Sequence, residues 1–209
     1  AERMRGDRNA GVNSISIGVQ SFDVNKLNDI GRQRTCDSIE KINIALSVFD
    51  NVGIDLMYSL PGHKIIDVQE EISKIPKGIK HVSYYSLTLE QDTPLANKYS
   101  KHPVDEDAQA DLGEAVVSEL QEKRYLRYEI SNFSKPGFEC KHNQAYWEYK
   151  DYLGIGAGAV STISGVRTEN VKDVNHYIAN EMVESRYELS REERQMERIM
   201  MGLRTTSGI

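Results

Sequence analysis

The sequence predicts an α/β protein built on parallel strands that alternate with helices. Three runs of strand-like residues, 14–22, 53–62 and 81–89, follow one another along the first half of the chain. Apolar residues at helical spacing fill the intervals between them, and each run ends close to a polar residue. Strands that alternate with helices form a parallel sheet or barrel, because each helix returns the chain to the same edge.

The first run carries a strand-to-helix signal. Residues 14–17 alternate serine and isoleucine, and Gly18 lets the backbone turn or pass close to another group. Gln20 follows, and its amide can both donate and accept hydrogen bonds. Asp23 then caps a short helix that ends at Gly31. A ligand-binding strand end and an ordinary strand–turn–helix explain this stretch equally well.

The second run contains one carboxylate among apolar residues. Residues 52–58 are nearly all apolar, which predicts a strand buried on both faces and makes Asp55 the exception. A buried carboxylate needs partners, so Asp55 either contacts a ligand or forms a salt bridge inside the barrel. Because the carboxyl ends of parallel strands share one edge, Gln20, Asp55 and Thr88 are expected near one rim.

Capping residues and apolar spacing predict the other elements. Four further helices are expected: one from Thr35 or Asp37, one over residues 65–75 with Val68, Ile72 and Ile75 inward, one from Asp105 to about residue 123, and one from a Ser190–Glu193 capping box. Residues 98–103 are predicted as a polar connector, 128–133 as a short strand, 134–137 as a turn and 165–170 as an edge hairpin.

Size, charge and cysteine content limit the function classes. The chain has 209 residues, 39% of them apolar, which is enough for one sizeable core. Its net charge is −6 and it has no Lys/Arg run, so nucleic acid is not expected as a partner. No apolar run is long enough to span a bilayer, so membrane association is not indicated. Cys36 and Cys140 lack metal-ligand spacing, and a cytoplasmic protein with reduced thiols is expected.

Several motifs, in order, resemble the second half of a radical S-adenosylmethionine (SAM) barrel. They are IGVQSF at residues 17–22, Gly31-Arg32, and DLMYSLPG at residues 55–62. The chain is most similar to the oxygen-independent coproporphyrinogen III oxidase-like family, which contains the HemN oxidases and the HemW heme chaperones. HNQAYW at residues 142–147 resembles the H-N-x-x-Y-W signature of the chaperone branch. The resemblance extends through nearly the whole chain.

The resemblance implies a fold in three parts. Residues 1–100 would form the second half of a partial, TIM-like (β/α)6 barrel, residues 101–185 an accessory α+β region that completes it, and residues 186–209 the start of a truncated helical C-terminal domain. Family members hold a [4Fe–4S] cluster on three cysteines spaced C-x3-C-x2-C, and this sequence has no such motif. We therefore expect no metal in this chain and interpret it as a fragment without the cluster-binding part. The strand at residues 12–19 would then be an unpaired edge, and the fragment would self-associate.

The resemblance also implies a SAM site. Gln20, Arg32 and Asp55 match the residues with which the family contacts SAM, whereas Thr88 and Val160 occupy positions of backbone or apolar contact. A guanidinium suits the methionine carboxylate of SAM, and a carboxylate can accept hydrogen bonds from ribose hydroxyls. Taken alone, Arg32 is more often a solvated surface charge.

His142, within the chaperone signature, is the heme candidate. The resemblance makes it a possible axial ligand of heme iron, although a single histidine is more often a satisfied structural residue. Tyr146 and Trp147 are typical packing residues that can also touch a cofactor. Cys140 is either a thiolate ligand or an ordinary thiol. Chaperones usually carry histidine where this chain has Val160, and an apolar residue there is more like the oxidase.

Three functions therefore remain open at this point. The first is a HemW-type heme chaperone that binds a [4Fe–4S] cluster, SAM and heme, and passes heme to an apo-hemoprotein. The second is an oxygen-independent oxidase that decarboxylates coproporphyrinogen III. The third is a barrel fragment with neither activity. The signature at residues 142–147 favours the chaperone.

Overall fold

The computed structural model describes residues 2–32, 38–99, 105–180 and 182–209, which belong to two compact units, Ala1–Glu139 and Cys140–Ile209. The elements of the first unit, in chain order, are α1 (Glu2–Asn9), β1 (Ser14–Gln20), α2 (Val24–Asp29), α3 (Ser38–Leu46), β2 (Asn51–Tyr58), α4 (Ile65–Ser73), β3 (His81–Ser86), α5 (Pro94–Tyr99), α6 (Glu106–Glu122), β4 (Leu126–Arg127) and β5 (Asn132–Ser134). Those of the second unit are α7 (Lys141–Trp147), β6 (Val160–Ile163), β7 (Val166–Asn170), α8 (Val174–Ile178), β8 (Val183–Glu188) and α9 (Arg191–Gly202).

The first unit is an α/β structure with a mixed five-stranded sheet in the order β1-β2-β3-β5-β4. β1, β2 and β3 are parallel, as the alternation of strand and helix patterns predicts. β5 pairs antiparallel with β3, and β4 pairs antiparallel with β5. β1 lies at one edge of this sheet.

The single strand predicted over residues 128–133 is wrong, because a turn divides this segment. The carboxylate of Glu129 accepts a hydrogen bond from the backbone N–H of Ser131, at 3.0 Å. The guanidinium of Arg127 donates to the carbonyl oxygens of Glu129 and Ile130. These side-chain bonds hold a tight turn, so the chain forms the short β4–β5 hairpin instead of one strand.

The two faces of the parallel strands differ in polarity. One face carries the apolar core, with Ile54, Leu56, Val82 and Tyr84 at 0–1% exposure. The core side chains of α3, α4 and α6 that pack against it are Ile42, Ala45, Val68, Ile72, Leu112, Val116 and Leu120. Since successive residues point to opposite faces, the other face carries Ser16 and Gly18 of β1, Asp55 of β2, and His81, Ser83 and Tyr85 of β3.

Local capping signals predict several helix ends correctly. Asp23 accepts a hydrogen bond from the Asn25 N–H at 2.8 Å, and Asp105 accepts one from the Ala108 N–H at 3.0 Å. Gly31 follows α2 with φ +74°, a conformation that glycine adopts at little cost. The expected caps Thr35 and Asp37 lie outside the described residues.

The predicted polar connector at residues 98–103 is too long at its start, because α5 extends to Tyr99. Pro94 occupies the first helical position, where its missing N–H costs nothing. The Thr93 hydroxyl accepts a hydrogen bond from the Ala96 N–H at 3.2 Å. Pro94 and Thr93 together stabilise the start of α5, although the polar composition of the segment predicts no helix there.

The second unit contains an antiparallel sheet in the order β6-β7-β8. β7 therefore lies in the middle of this sheet, whereas an edge hairpin is predicted for residues 165–170. β8 is missed from the sequence because its residues are mostly polar and exposed, which hides the strand pattern. The capping box is confirmed: the N–H of Glu193 donates to Ser190 Oγ at 3.1 Å, and the N–H of Ser190 donates to Glu193 Oε2 at 2.7 Å.

No helix in the described part of the chain is long and apolar enough to cross a membrane.

Candidate cofactor site

Gln20 ends β1 in a conformation that turns its amide onto the polar face of the sheet. Its φ is 68°, and the pairing of β1 with β2 shifts register between Gly18 and Gln20. A Cβ at Gly18 would lie 3.0 Å from Gln20 Nε2, so a larger residue at this position would require the amide to shift. Gln20 Oε1 accepts a hydrogen bond from the Tyr85 hydroxyl at 2.7 Å. The side chain is therefore held between β1 and β3 over the polar face.

A buried carboxylate, Glu71 of α4, holds the segment that follows Gln20. Its Oε1 accepts hydrogen bonds from the Ser21 hydroxyl and from the Phe22 N–H, the latter at 3.2 Å. Its Oε2 accepts from the Tyr84 hydroxyl at 2.7 Å. Glu71 is only 2% exposed. Burial raises the pKa of the Glu71 carboxyl, and the bonds from Ser21 and Tyr84 act in the opposite direction.

Sequence reasoning missed both Glu71 and Tyr85, although each leaves a signal. Glu71 falls on the inward face of α4 beside Ile72, where a carboxylate is out of place. Tyr85 shares a strand face with His81 and Ser83, as the period of two requires.

Asp55 lies farther from the carboxyl-end edge of the sheet than the sequence predicts. It is the fifth of eight residues in β2, opposite Gly18 and Ser83, and so stands in the middle of the strand rather than at the rim. It is half-buried, and its Oδ1 accepts a hydrogen bond from the Ser16 hydroxyl at 2.7 Å. No ion pair joins Asp55 to a cation among the residues that the structure describes. The salt-bridge alternative is thus not observed there.

His81 adds a second titratable group to this face. Its Nε2 lies 2.8 Å from the Tyr128 hydroxyl. Burial lowers the pKa of His81, and the Asp55 carboxylate acts in the opposite direction. A neutral imidazole beside a carboxylate gives this face both donors and acceptors for a polar ligand.

The other predicted SAM residues lie at varying distances from this face. Thr88 is exposed two residues after β3 ends, at the same edge of the sheet as Gln20. Arg32 is exposed after α2, and its backbone N–H donates to the Leu27 carbonyl at 2.9 Å. Val160 is the first residue of β6 and belongs to the second unit. The structure thus brings Gln20 and Asp55 together on adjoining strands of one face.

The side chains on the polar face fit a nucleoside better than a metal cluster. Asp55 offers carboxylate oxygens to hydroxyl donors, and the Gln20 amide offers a donor. A [4Fe–4S] cluster is held by cysteine thiolates, and the chain has only two cysteines. No group of three or more His, Cys, Asp or Glu side chains in the described ranges could hold a metal ion. The residues present therefore do not fit a cluster.

In the second unit, His142 is an exposed residue in the first turn of α7. Its ring centroid lies 4.9 Å from that of Tyr146, with the two planes at 89°. Trp147 packs under Arg204, whose guanidinium carbon lies 5.5 Å from the indole centroid. Cys140 is the half-exposed residue at the N-cap of the same helix. An exposed imidazole with an aromatic neighbour is accessible to a planar ligand.

Comparison with known proteins finds several heme chaperones named HemW. No protein-family model matches the chain. The chain is 39% identical over 209 residues to the heme chaperone HemW of Lactococcus lactis, covering 95% of this chain and 55% of that protein. It is 36% identical over 222 residues to HemW of Bacillus subtilis, covering 100% of this chain and 58% of that protein. It is also 36% identical over 166 residues to HemW of Escherichia coli, covering 76% of this chain and 43% of that protein.

A solved structure shares the fold. The coproporphyrinogen III oxidase HemN from Escherichia coli, described as a radical SAM enzyme, superposes with a TM-score of 0.76 at 18% identity. The match covers 98% of this chain and 52% of that one. The chain thus spans about half the length of the proteins it matches. The HemN match shows the fold, and the sequence identity to several HemW proteins shows the family: the chain belongs to the HemN/HemW family.

Proposed function

We propose that this chain serves in a HemW-type heme chaperone, which holds heme and passes it to an apo-hemoprotein. The observation that carries the proposal is the H-N-x-x-Y-W signature on α7, where His142 is exposed to an incoming ligand. The similarity to proteins that are named heme chaperones supports it. In this proposal the His142 imidazole is an axial ligand of the heme iron.

The second part of the proposal assigns SAM to the polar face of the first unit. Asp55 would accept hydrogen bonds from the ribose hydroxyls, and the Gln20 amide would contact the same ligand from the adjoining strand. Arg32 would pair with the methionine carboxylate, and Thr88 and Val160 would supply backbone or apolar contact. A [4Fe–4S] cluster, bound by cysteines that this sequence does not contain, would complete the cofactor set.

Titration of hemin, followed by its absorption spectrum, tests the heme assignment in the full-length protein. His142→Ala should weaken hemin binding at least about tenfold, because an iron–imidazole bond is lost. His176→Ala is the matched control, since His176 is also exposed and on a short helix of the same unit. Equal affinities in wild type and His142→Ala would refute the assignment. Consumption of coproporphyrinogen III by the same preparation would instead support the oxidase.

Calorimetry with SAM tests the other site in the full-length protein. Gln20→Ala and Asp55→Ala should each weaken SAM binding about tenfold while iron and sulfide content stays unchanged, because each removes a hydrogen bond to the ligand. Ser14→Ala, at the start of β1 and exposed, is the control. Wild-type affinity in both variants would contradict the site.

The remaining parts of the proposal concern organisation and surroundings. We place the protein in the cytoplasm, where its thiols stay reduced, and expect an apo-hemoprotein as the recipient of heme. The division into parts 1–100, 101–185 and 186–209 belongs to the same proposal and stays a prediction. Limited proteolysis with mass spectrometry would test it, because cuts should concentrate near residues 100 and 185.

A further inference from the structure

Three aromatic rings form a row on the second unit that begins at His142. The ring of Tyr146 lies 4.9 Å from that of His142, and the ring of Tyr152 lies 4.7 Å beyond Tyr146. Tyr146 is 37% exposed, and His142 is exposed as well. The row therefore presents an accessible aromatic surface and is more than the packing of a buried core.

The angles within this row suit a porphyrin bound at His142. An imidazole that ligates heme iron stands perpendicular to the macrocycle. The plane of Tyr146 is at 89° to that of His142, so the tyrosine ring can lie parallel to the same macrocycle. The ring centroids of Tyr146 and His142 are 4.9 Å apart, so a tyrosine ring parallel to the macrocycle would lie beside the ligated iron and form an offset stack on the outer part of the porphyrin.

A cavity of about 330 Å³ adjoins Tyr146 and continues the row. Tyr152, Thr162, Gly165 and Met201 contribute to its wall. A volume of this size is at the lower end for ligand pockets. It can take a side arm of a porphyrin, whereas the macrocycle itself must lie outside against the aromatic row.

The charged groups around this cavity leave one cation available. Three cations line it, as do the carboxylates of Asp151 and Glu197. Arg167 is matched by Glu197, with two hydrogen bonds of 2.8 and 2.9 Å, and Glu197 also accepts from the Tyr149 hydroxyl at 2.7 Å. Lys150, the second of the three cations, is exposed and pairs with Glu148.

Arg194 is the cation that remains. In the described part of the chain it forms no ion pair. Its guanidinium lies over Gly165, with Nη1 at 3.0 Å from the position that a Cβ would occupy there. Asp151 forms no ion pair with it, and both Asp151 oxygens instead accept a hydrogen bond from the Ser164 N–H at 3.0 Å. The absence of a side chain at Gly165 gives the guanidinium its place at the cavity wall.

We propose that Tyr146 stacks on the porphyrin and that Arg194 binds one of its propionate carboxylates, so that this unit selects a carboxylate-bearing heme. The inference rests on the proposed heme function and extends it from the iron to the rest of the ligand. A guanidinium can pair with a carboxylate through two parallel hydrogen bonds, which adds orientation as well as affinity. Ligation at His142, stacking at Tyr146 and the ion pair at Arg194 would fix heme at three separated points.

The test uses four probes with the full-length protein: hemin, hemin dimethyl ester, metal-free protoporphyrin IX and protoporphyrin IX dimethyl ester. Wild type should bind hemin about tenfold more tightly than the ester, as expected for one charge-assisted hydrogen-bonded pair. Arg194→Gln should reduce hemin affinity to that of the ester and leave ester affinity unchanged. Arg198→Gln, an exposed arginine on the same helix, is the matched control.

Tyr146 has its own signature in the same experiment. Tyr146→Leu should weaken the binding of all four probes about fivefold, since stacking depends on neither the iron nor the carboxylate, and Tyr146→Phe should restore binding. Equal wild-type affinity for hemin and its ester, or equal loss of both in Arg194→Gln, would overturn the proposal. Circular dichroism of each variant separates these outcomes from misfolding.

Metal-free porphyrin separates this inference from the heme assignment itself. If His142→Ala leaves the hemin spectrum and affinity unchanged, ligation at His142 is wrong. A carboxylate preference that depends on Arg194 would then still appear with protoporphyrin IX and its dimethyl ester. The absence of that preference overturns the Arg194 inference whatever the result at His142.

Discussion

Replacing Glu71 by alanine should destabilise the first unit by roughly 2–6 kcal/mol. The carboxylate accepts hydrogen bonds from the Phe22 N–H at 3.2 Å and from the Tyr84 hydroxyl at 2.7 Å, in a site where Glu71 is 2% exposed. Without it both donors lose their acceptor, and each unpaired buried donor costs about 1–3 kcal/mol. Ser21 also donates to Glu71 and is left out of this sum.

Urea unfolding followed by hydrogen exchange in β2 measures this loss for the first unit alone. Glu70→Ala is the matched control, because Glu70 is the exposed neighbour on the same helix and should change stability by less than about 0.5 kcal/mol. A loss in Glu71→Ala no larger than that of the control would refute the reasoning.

Glu71→Gln adds a test of the pKa. Burial raises the pKa of Glu71 in the folded state, so the stability tied to its protonation is present at low pH and is lost as pH rises through the folded value. Glutamine cannot ionise. The stability of the glutamine variant relative to wild type should therefore rise as the pH increases above the ordinary pKa of a glutamate carboxyl. A difference that stays constant over this range would mean that the carboxyl titrates normally.

Four further outcomes follow from other parts of the molecule. The hydrogen bonds from Arg167 lower the pKa of the Glu197 carboxyl, so this pair stabilises the second unit at pH values above the pKa of an unfolded glutamate. As the pH falls from about 6 to 3, the free energy of unfolding of wild type should decrease by about 1 kcal/mol more than that of Glu197→Gln. Urea unfolding at each pH measures this difference. Gly154→Ala should unfold the β6 region, because a Cβ would lie 2.3 Å from the Val160 carbonyl oxygen; loss of amide protection there checks it. Reconstitution of this chain with iron and sulfide should yield no stoichiometric cluster, since two cysteines cannot hold one. The edge strand β1 should drive self-association, seen as a mass that rises with concentration in ultracentrifugation; a monomer at all concentrations would contradict this.

The sequence by itself determined the features that depend on neighbours along the chain. The alternation in residues 14–17, with a strand predicted over residues 12–19, and the apolar run at residues 52–58 gave two strands to within about two residues of β1 and β2. Asp23, Asp105 and Ser190 predicted helix starts because an N-cap acts on an N–H only two or three residues away. The spacing of Val68, Ile72 and Ile75 predicted the buried face of α4.

The family, too, could be identified from short motifs, since HNQAYW and DLMYSLPG are read directly from the sequence. The same patterns predicted that Gln20 and Asp55 fall on neighbouring parallel strands. They did not give the depth of Asp55 on the sheet, because register depends on which residues of two distant strands pair.

Only the tertiary structure decided the contacts that join distant segments. The Tyr85 hydroxyl reaches Gln20, and Tyr84 reaches Glu71, across strands and a helix whose mutual placement no local pattern encodes. The reversal at β5 was likewise settled by side-chain bonds of Arg127 and Glu129 that compete with strand formation. Arg194 is a surface arginine in the sequence, and its position over Gly165 exists only because packing brings α9 against the turn between β6 and β7. Capping and periodicity act over a few residues, whereas these contacts depend on chain segments far apart in sequence, and so the fold had to form before they could be seen.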